Sequence, residues 1–178
     1  MAACWPRVSG LWLSLAVLVL AAAPGVHGQS RSPLIRVGES LVRDGLRVTF
    51  GYLPGSVAHD PPGEVAVGLA IHVQIEVEAT PGNPYGLDAD ESVPYLRIGY
   101  TLTHVPSRQR REGVLVPMVS RDGLHYGANL VLPAPGGHTL TVEIRPPEGL
   151  VRHTDPRTGV QPWWSPFTLT WDFEYAPK

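Results

Sequence analysis

Within residues 70–79, AIHVQIEVEA, apolar and polar side chains alternate without a break from Ile71 onward. A period of two belongs to an extended strand with one face in a core, because helical faces recur every three to four residues instead. Similar runs lie at LRVTFGYL (46–53), YLRIGYTLTHV (95–105), GVLVPMV (113–119), ANLVL (128–132), HTLTVEIR (138–145) and FTLTWDFEY (167–175). Gly, Pro, Asp and Asn punctuate the intervals. Leu140, Val142 and Ile144 point one way while Thr139, Thr141 and Glu143 point the other, and Phe167, Leu169, Trp171, Phe173 and Tyr175 fall on a single face. These runs predict an all-β antiparallel sandwich of one domain, with no helix longer than a turn or two. The longest irregular connection, ATPGNPYGLDADESVP (79–94), has the length of a functional or partner-facing loop.

The first 28 residues read as an export signal: Arg7 as the positive region, LWLSLAVLVLAAA as the apolar run, and VHG as the small-residue end before Gln29. That run is shorter than the roughly 20 apolar residues of a membrane span. The expected organisation is therefore a signal peptide at 1–28 and a single domain at 29–178, outside the cytoplasm. Cys4, the one cysteine, lies inside the signal, so the rest must fold on an apolar core without disulfides. The formal charge of −2 argues against nucleic acid as a partner.

On residues 70–79 the apolar set Ile71, Val73, Ile75 and Val77 takes the buried face, which leaves His72, Gln74, Glu76 and Glu78 together on the other. A polar row of this kind is ordinary for a solvated sheet. Six histidines lie beyond the signal's end: His59, His72, His104, His125, His138 and His153. His138, beside Gly-Gly, reads as a turn residue, and His104 continues the apolar face of Leu96, Ile98, Tyr100 and Leu102. Met118 is the one methionine after the signal; taken alone it reads first as a core filler, with a soft metal ligand as the alternative. A thioether with several imidazoles and no thiolate suits copper better than structural zinc. Hydrolase signatures are missing: there is no H-E-x-x-H, no G-x-S-x-G and no phosphate-binding glycine loop. Glu76 and Glu78 resemble a glycosidase pair only superficially.

Four ordered blocks resemble one family. VPMVSRDGLHYGANL (116–130) is similar to the M-P-M-x-x-x-D-G-x-H-Y-G-A-N stretch of the periplasmic iron-transport proteins that bind copper and accompany bacterial high-affinity iron permeases. AIHVQIEVEATPGNPYG resembles their D-I-H-L-E-A-D-I-H-A segment with its following G-N-P-x-G, and VPYLRIGYTL their M-P-Y-L-x-x-x-Y-x-L. GLVRHTDPRTGVQPWWSPFTLTWDFEY resembles their G-F-G-R-H-x-D-x-E-T-G-V-x-x-W-F-x-P-F run.

The resemblance implies an immunoglobulin-like antiparallel β-sandwich, a periplasmic homodimer and a copper site of three His and one Met, here His72, Met118, His125 and His153. It implies iron as the transported ion and an inner-membrane iron permease as partner. This chain departs from the family where Gln74 replaces a Glu, where Glu76 and Glu78 replace an Asp and a second His, and where His59 and Asp60 stand in place of Met and Glu. Those five positions are candidates for a second metal or for groups supporting the first. Three other readings stay open: copper delivery without an iron role, a secreted copper monooxygenase whose new N-terminus is His27, and a metal-free adhesion module.

Overall fold

The computed structural model describes Met1, residues 34–60, residue 62 and residues 66–177. The expected signal segment, with Cys4 and His27, lies outside the described residues. The strands all belong to the compact unit Ser32–Lys178.

In chain order the nine strands are β1 (Ile35–Arg36), β2 (Leu41–Arg43), β3 (Leu46–Pro54), β4 (Ala70–Ala79), β5 (Arg97–His104), β6 (Arg110–Ser120), β7 (Gly123–Val131), β8 (Gly136–Arg145) and β9 (Phe167–Tyr175). Among the described residues there is no helix. Every pairing is antiparallel, along the path β1-β3-β4-β7-β6-β5-β8-β9 with β2 also on β3. β6 joins the two halves of this path. Its residues Arg110–Leu115 pair with β5, and from Val116 onward it pairs with β7.

The sheet curls so that strands distant on the path meet through their apolar faces. Phe50 on β3 packs its ring 5.7 Å from Trp171 and 5.5 Å from Phe173 on β9, and Tyr52 lies 5.5 Å from Phe173 and 5.9 Å from Tyr175. Ile71, Val73, Ile75 and Val77 of β4 enter the same core, together with Leu140, Val142 and Ile144 of β8. The alternation read from the sequence thus places the polar row of β4 on the outer face.

The tripeptide Arg-Asp-Gly occurs twice and turns the chain in two ways. At residues 43–45, Asp44 and Gly45 both take positive φ (50° and 72°) and form the two-residue loop between β2 and β3, as a type I′ hairpin requires. At residues 121–123 the pairing of Ser120 with Gly123 leaves Arg121 and Asp122 as the loop, and Gly123 alone takes positive φ. That shift moves the start of β7 to Gly123, five residues before the strand expected at 128–132, and carries His125 onto a strand.

The long 79–94 connection is pinned. Asn83 donates to the carbonyls of Thr80 and Leu87 and accepts from the amides of Tyr85 and Leu87. The buried Tyr126 hydroxyl accepts from the Leu96 amide at 2.9 Å and donates to the Val93 carbonyl at 2.7 Å. Tyr126→Phe strands both backbone groups out of reach of water, so it is expected to cost about 1–3 kcal/mol, readable as a lower urea midpoint.

Candidate metal centre

The tight β6–β7 turn sets Met118 directly opposite His125. On the other side of β7, His72 of β4 faces Asn129 and Gln74 faces Gly127. Residues directly opposite across antiparallel strands point to the same face. His72, Asn129, Gly127, His125 and Met118 therefore share the outer face of the sheet. Chain 55–60 crosses over this face, held by paired hydrogen bonds between the Val57 backbone and the Asn129 amide. Under that cover His72 is 1% exposed and His125 5%. Their ring centres are 5.9 Å apart with planes at 90°, and the His59 ring lies 5.7 Å from that of His72.

Asn129 decides which nitrogen of His72 is available. Its Nδ2 donates to the Val57 carbonyl, which orients its Oδ1 to accept from the Val57 amide at 3.0 Å. The same Oδ1 lies 3.0 Å from His72 Nδ1, so Nδ1 carries the proton and Nε2 keeps its lone pair. This is the arrangement by which a supporting group fixes a metal-ligating imidazole. Nε2 lies over Gly127, where a β-carbon would meet it at 2.9 Å. The glycine leaves room for the ring to lean along β7 toward His125.

Burial keeps these imidazoles neutral. The His72 pKa is pushed down to about 4, mainly by loss of water and less by the neighbouring His125 and His59; the hydrogen bond to Asn129 opposes the shift. His125 is also lowered, again chiefly by burial, against opposing contributions that include Gly123 and Glu76. Neutral imidazoles offer lone pairs to a metal without first releasing protons.

The shift carries a stability consequence. Between pH 6.5 and about 4 the unfolded chain holds a proton at residue 72 that the native state refuses, so stability falls as pH drops through that window. The expected loss from His72 is of the order of 3 kcal/mol for the metal-free protein. Urea midpoints at pH 7 and pH 4.5 check it, and the slope is expected to flatten in His72→Asn.

The remaining expected ligands are placed differently. Glu76 pairs with Arg36 at 3.0 Å, and Glu78 with Arg47 at 2.7 Å, an arginine that also holds Asp90. A metal at either carboxylate would have to displace an arginine. Gln74 lies in register between Gly51 and Gly127, half-buried, and Asp60 is exposed. His59 has its Nε2 shielded from solvent, with no hydrogen-bond partner among the described residues.

His153 is not brought to the others. It is exposed, with Nε2 2.9 Å from Asp155, in a segment whose Gln161 amide bonds the Pro84 carbonyl beyond the end of β4. The seven residue steps from His72 to Ala79 span about 23 Å of strand at roughly 3.3 Å each. His138, expected in a turn, is instead a buried β8 residue stacked on Phe173 and facing His104.

Among the described residues no three His, Cys, Asp or Glu side chains stand close enough to close a cage on one ion. Two neutral imidazoles beside a half-buried thioether, with an unpartnered third imidazole nitrogen next to them, nevertheless fit a soft to borderline metal such as copper.

Comparison with known proteins agrees with this chemistry. A UPF0423 protein of Brucella abortus is 32% identical over 166 residues, covering 89% of this chain and 88% of that protein. A copper-bound Glu-to-Gln variant of FetP from uropathogenic Escherichia coli superposes with a TM-score of 0.75 at 35% identity, over 80% of this chain and 97% of FetP. The copper-reconstituted P19 protein of Campylobacter jejuni does so with a TM-score of 0.77 at 32% identity, over 82% and 99%. The sequence profile of the Fe2+ transport proteins matches residues 34–177. The chain belongs to the Fe2+ transport protein family.

Proposed function

We propose that this protein is the periplasmic copper-binding component of a high-affinity iron uptake system, exported by residues 1–28 and presenting iron to an inner-membrane permease. The observation that carries the proposal is the placing of Met118 opposite His125 with the neutral, Asn129-oriented His72 ring against it, in a chain of this family. His72, Met118 and His125 hold copper on the outer sheet face. His153, exposed and remote within one chain, joins as a ligand where two copies meet in a homodimer. The immunoglobulin-like form of the sandwich is part of the same reading.

Copper bound here would supply a one-electron couple for iron. The chain's own contributions are neutral imidazoles, a thioether that accommodates the reduced ion, and a covering segment that limits water. A Glu-to-Gln variant of FetP carries copper, so exchanging one carboxylate for an amide is compatible with copper binding in a related chain. Iron, a harder ion, would use Asp60 or the carboxylates of Glu76 and Glu78, with Arg36 and Arg47 moving aside.

The test has two arms. Protein purified from the periplasm without chelators is expected to carry copper, and a strain lacking the gene is expected to grow poorly when iron is limiting and normally when it is plentiful. Copper-free protein that does not take up copper would refute the reading. Normal growth of the deletion strain under iron limitation would instead leave a copper-delivery protein.

A further inference from the structure

The His59 imidazole is at odds with its surroundings. A shielded ring nitrogen with no partner among the described residues costs about 1–3 kcal/mol, so one kept that way calls for a reason. Its ring sits 5.7 Å from His72, and His72 sits 5.9 Å from His125. Two imidazoles bound to one ion at about 2 Å per nitrogen hold their ring centres roughly 5 to 6 Å apart. The three rings already have that spacing as successive neighbours, so His59 and His125 are the pair that metal binding would draw together.

The segment bearing His59 is suited to such an approach. Val57, two residues earlier, is tied to Asn129, the residue that sets the His72 tautomer. One amide thus positions both the strand ligand and the start of the covering segment.

We propose that His59 is a copper ligand of this chain, completing with His72, His125 and Met118 a four-donor set of three imidazoles and one thioether within a single copy. The inference rests on the copper reading and deepens it: the resemblance assigns this position a methionine, and imidazole in its place hardens the set. A harder set favours Cu(II) relative to Cu(I), so this chain holds the oxidised ion more tightly than a chain with Met at the same position. The set is complete within one copy, so His153 of a second copy adds to it where two copies meet.

The experiment uses the full exported protein and counts imidazoles on Cu(II) by pulsed EPR, with Kd from competition titration. In a His153→Ala background three imidazoles are expected, and two once His59→Ala is added, with Cu(II) affinity about 100-fold weaker. His59→Met is expected to retain Cu(I) binding while weakening Cu(II), a pattern that loss of folding would not give. Equal counts with and without His59, loss of all copper in His153→Ala alone, or undiminished Cu(II) affinity in His59→Met would each overturn the assignment. These failures differ from failure of the copper reading, in which the unmodified protein itself binds no copper.

Discussion

Gly127→Ala is expected to abolish tight copper binding and to destabilise the fold with a single methyl group. That methyl would lie 2.8 Å from the Val73 carbonyl oxygen and 2.9 Å from His72 Nε2. Neither neighbour can withdraw cheaply: the carbonyl is on a central strand, and the imidazole is held by Asn129. Overpacking of this kind costs about 1–3 kcal/mol. The metal-binding loss has a separate cause, since a ring driven off Gly127 no longer directs its lone pair toward His125. Urea unfolding reads the first effect and copper titration the second. A protein with unchanged midpoint and unchanged affinity would show that His72 does not lie against Gly127.

Phe50→Ala is expected to lower stability by about 3–5 kcal/mol, the usual cost of emptying a large aromatic site in a core. Phe50 is fully buried and touches both Trp171 and Phe173, so it joins the first long strand to the last. With Cys4 the one cysteine in the sequence, there is no intrachain disulfide to compensate. Against a typical total of 5–15 kcal/mol the variant would lose a large share, measurable as a fall in the urea midpoint with little change in slope. Copper affinity of the fraction that remains folded is expected to be unchanged, because the proposed ligands lie on β4, β6, β7 and the covering segment.

The period-two runs make seven of the nine strands legible, and they put His72 on the correct face. The reason is physical: one buried face per strand imposes alternation wherever a sheet covers a core. The shortest strands, Ile35–Arg36 and Leu41–Arg43, are too brief to show a period, and the first half of β7 is hidden because LHYG shows no clean alternation. The site is less accessible. His125 stands out as a candidate, but its place opposite Met118 depends on whether Asp-Gly or Arg-Asp forms the loop. Nothing local in VSRDGL decides between them.

Other parts of the site are hidden in tertiary contacts. His138 resembles a turn residue because Gly136 and Gly137 precede it, yet both glycines pair with β9 and the imidazole is core. Asn129 gives no signal beyond membership of a strand, since its importance lies in the Val57 backbone folding back onto it. His59 carries a signal only as a departure from the family pattern, and its lodging against His72 is a property of the covering segment. His153 shows the opposite limit: a motif match makes the residue a candidate, and chain geometry then keeps it exposed at the far end of β4.

Copper binding on the outer sheet face is tested most directly by competitive copper titration of the purified protein alongside Met118→Ala and His125→Ala. Tight binding is expected of the unmodified chain, with a loss of at least about tenfold in each variant and urea midpoints showing that both still fold. Copper affinity unchanged by both substitutions would contradict the assignment of these two side chains as ligands.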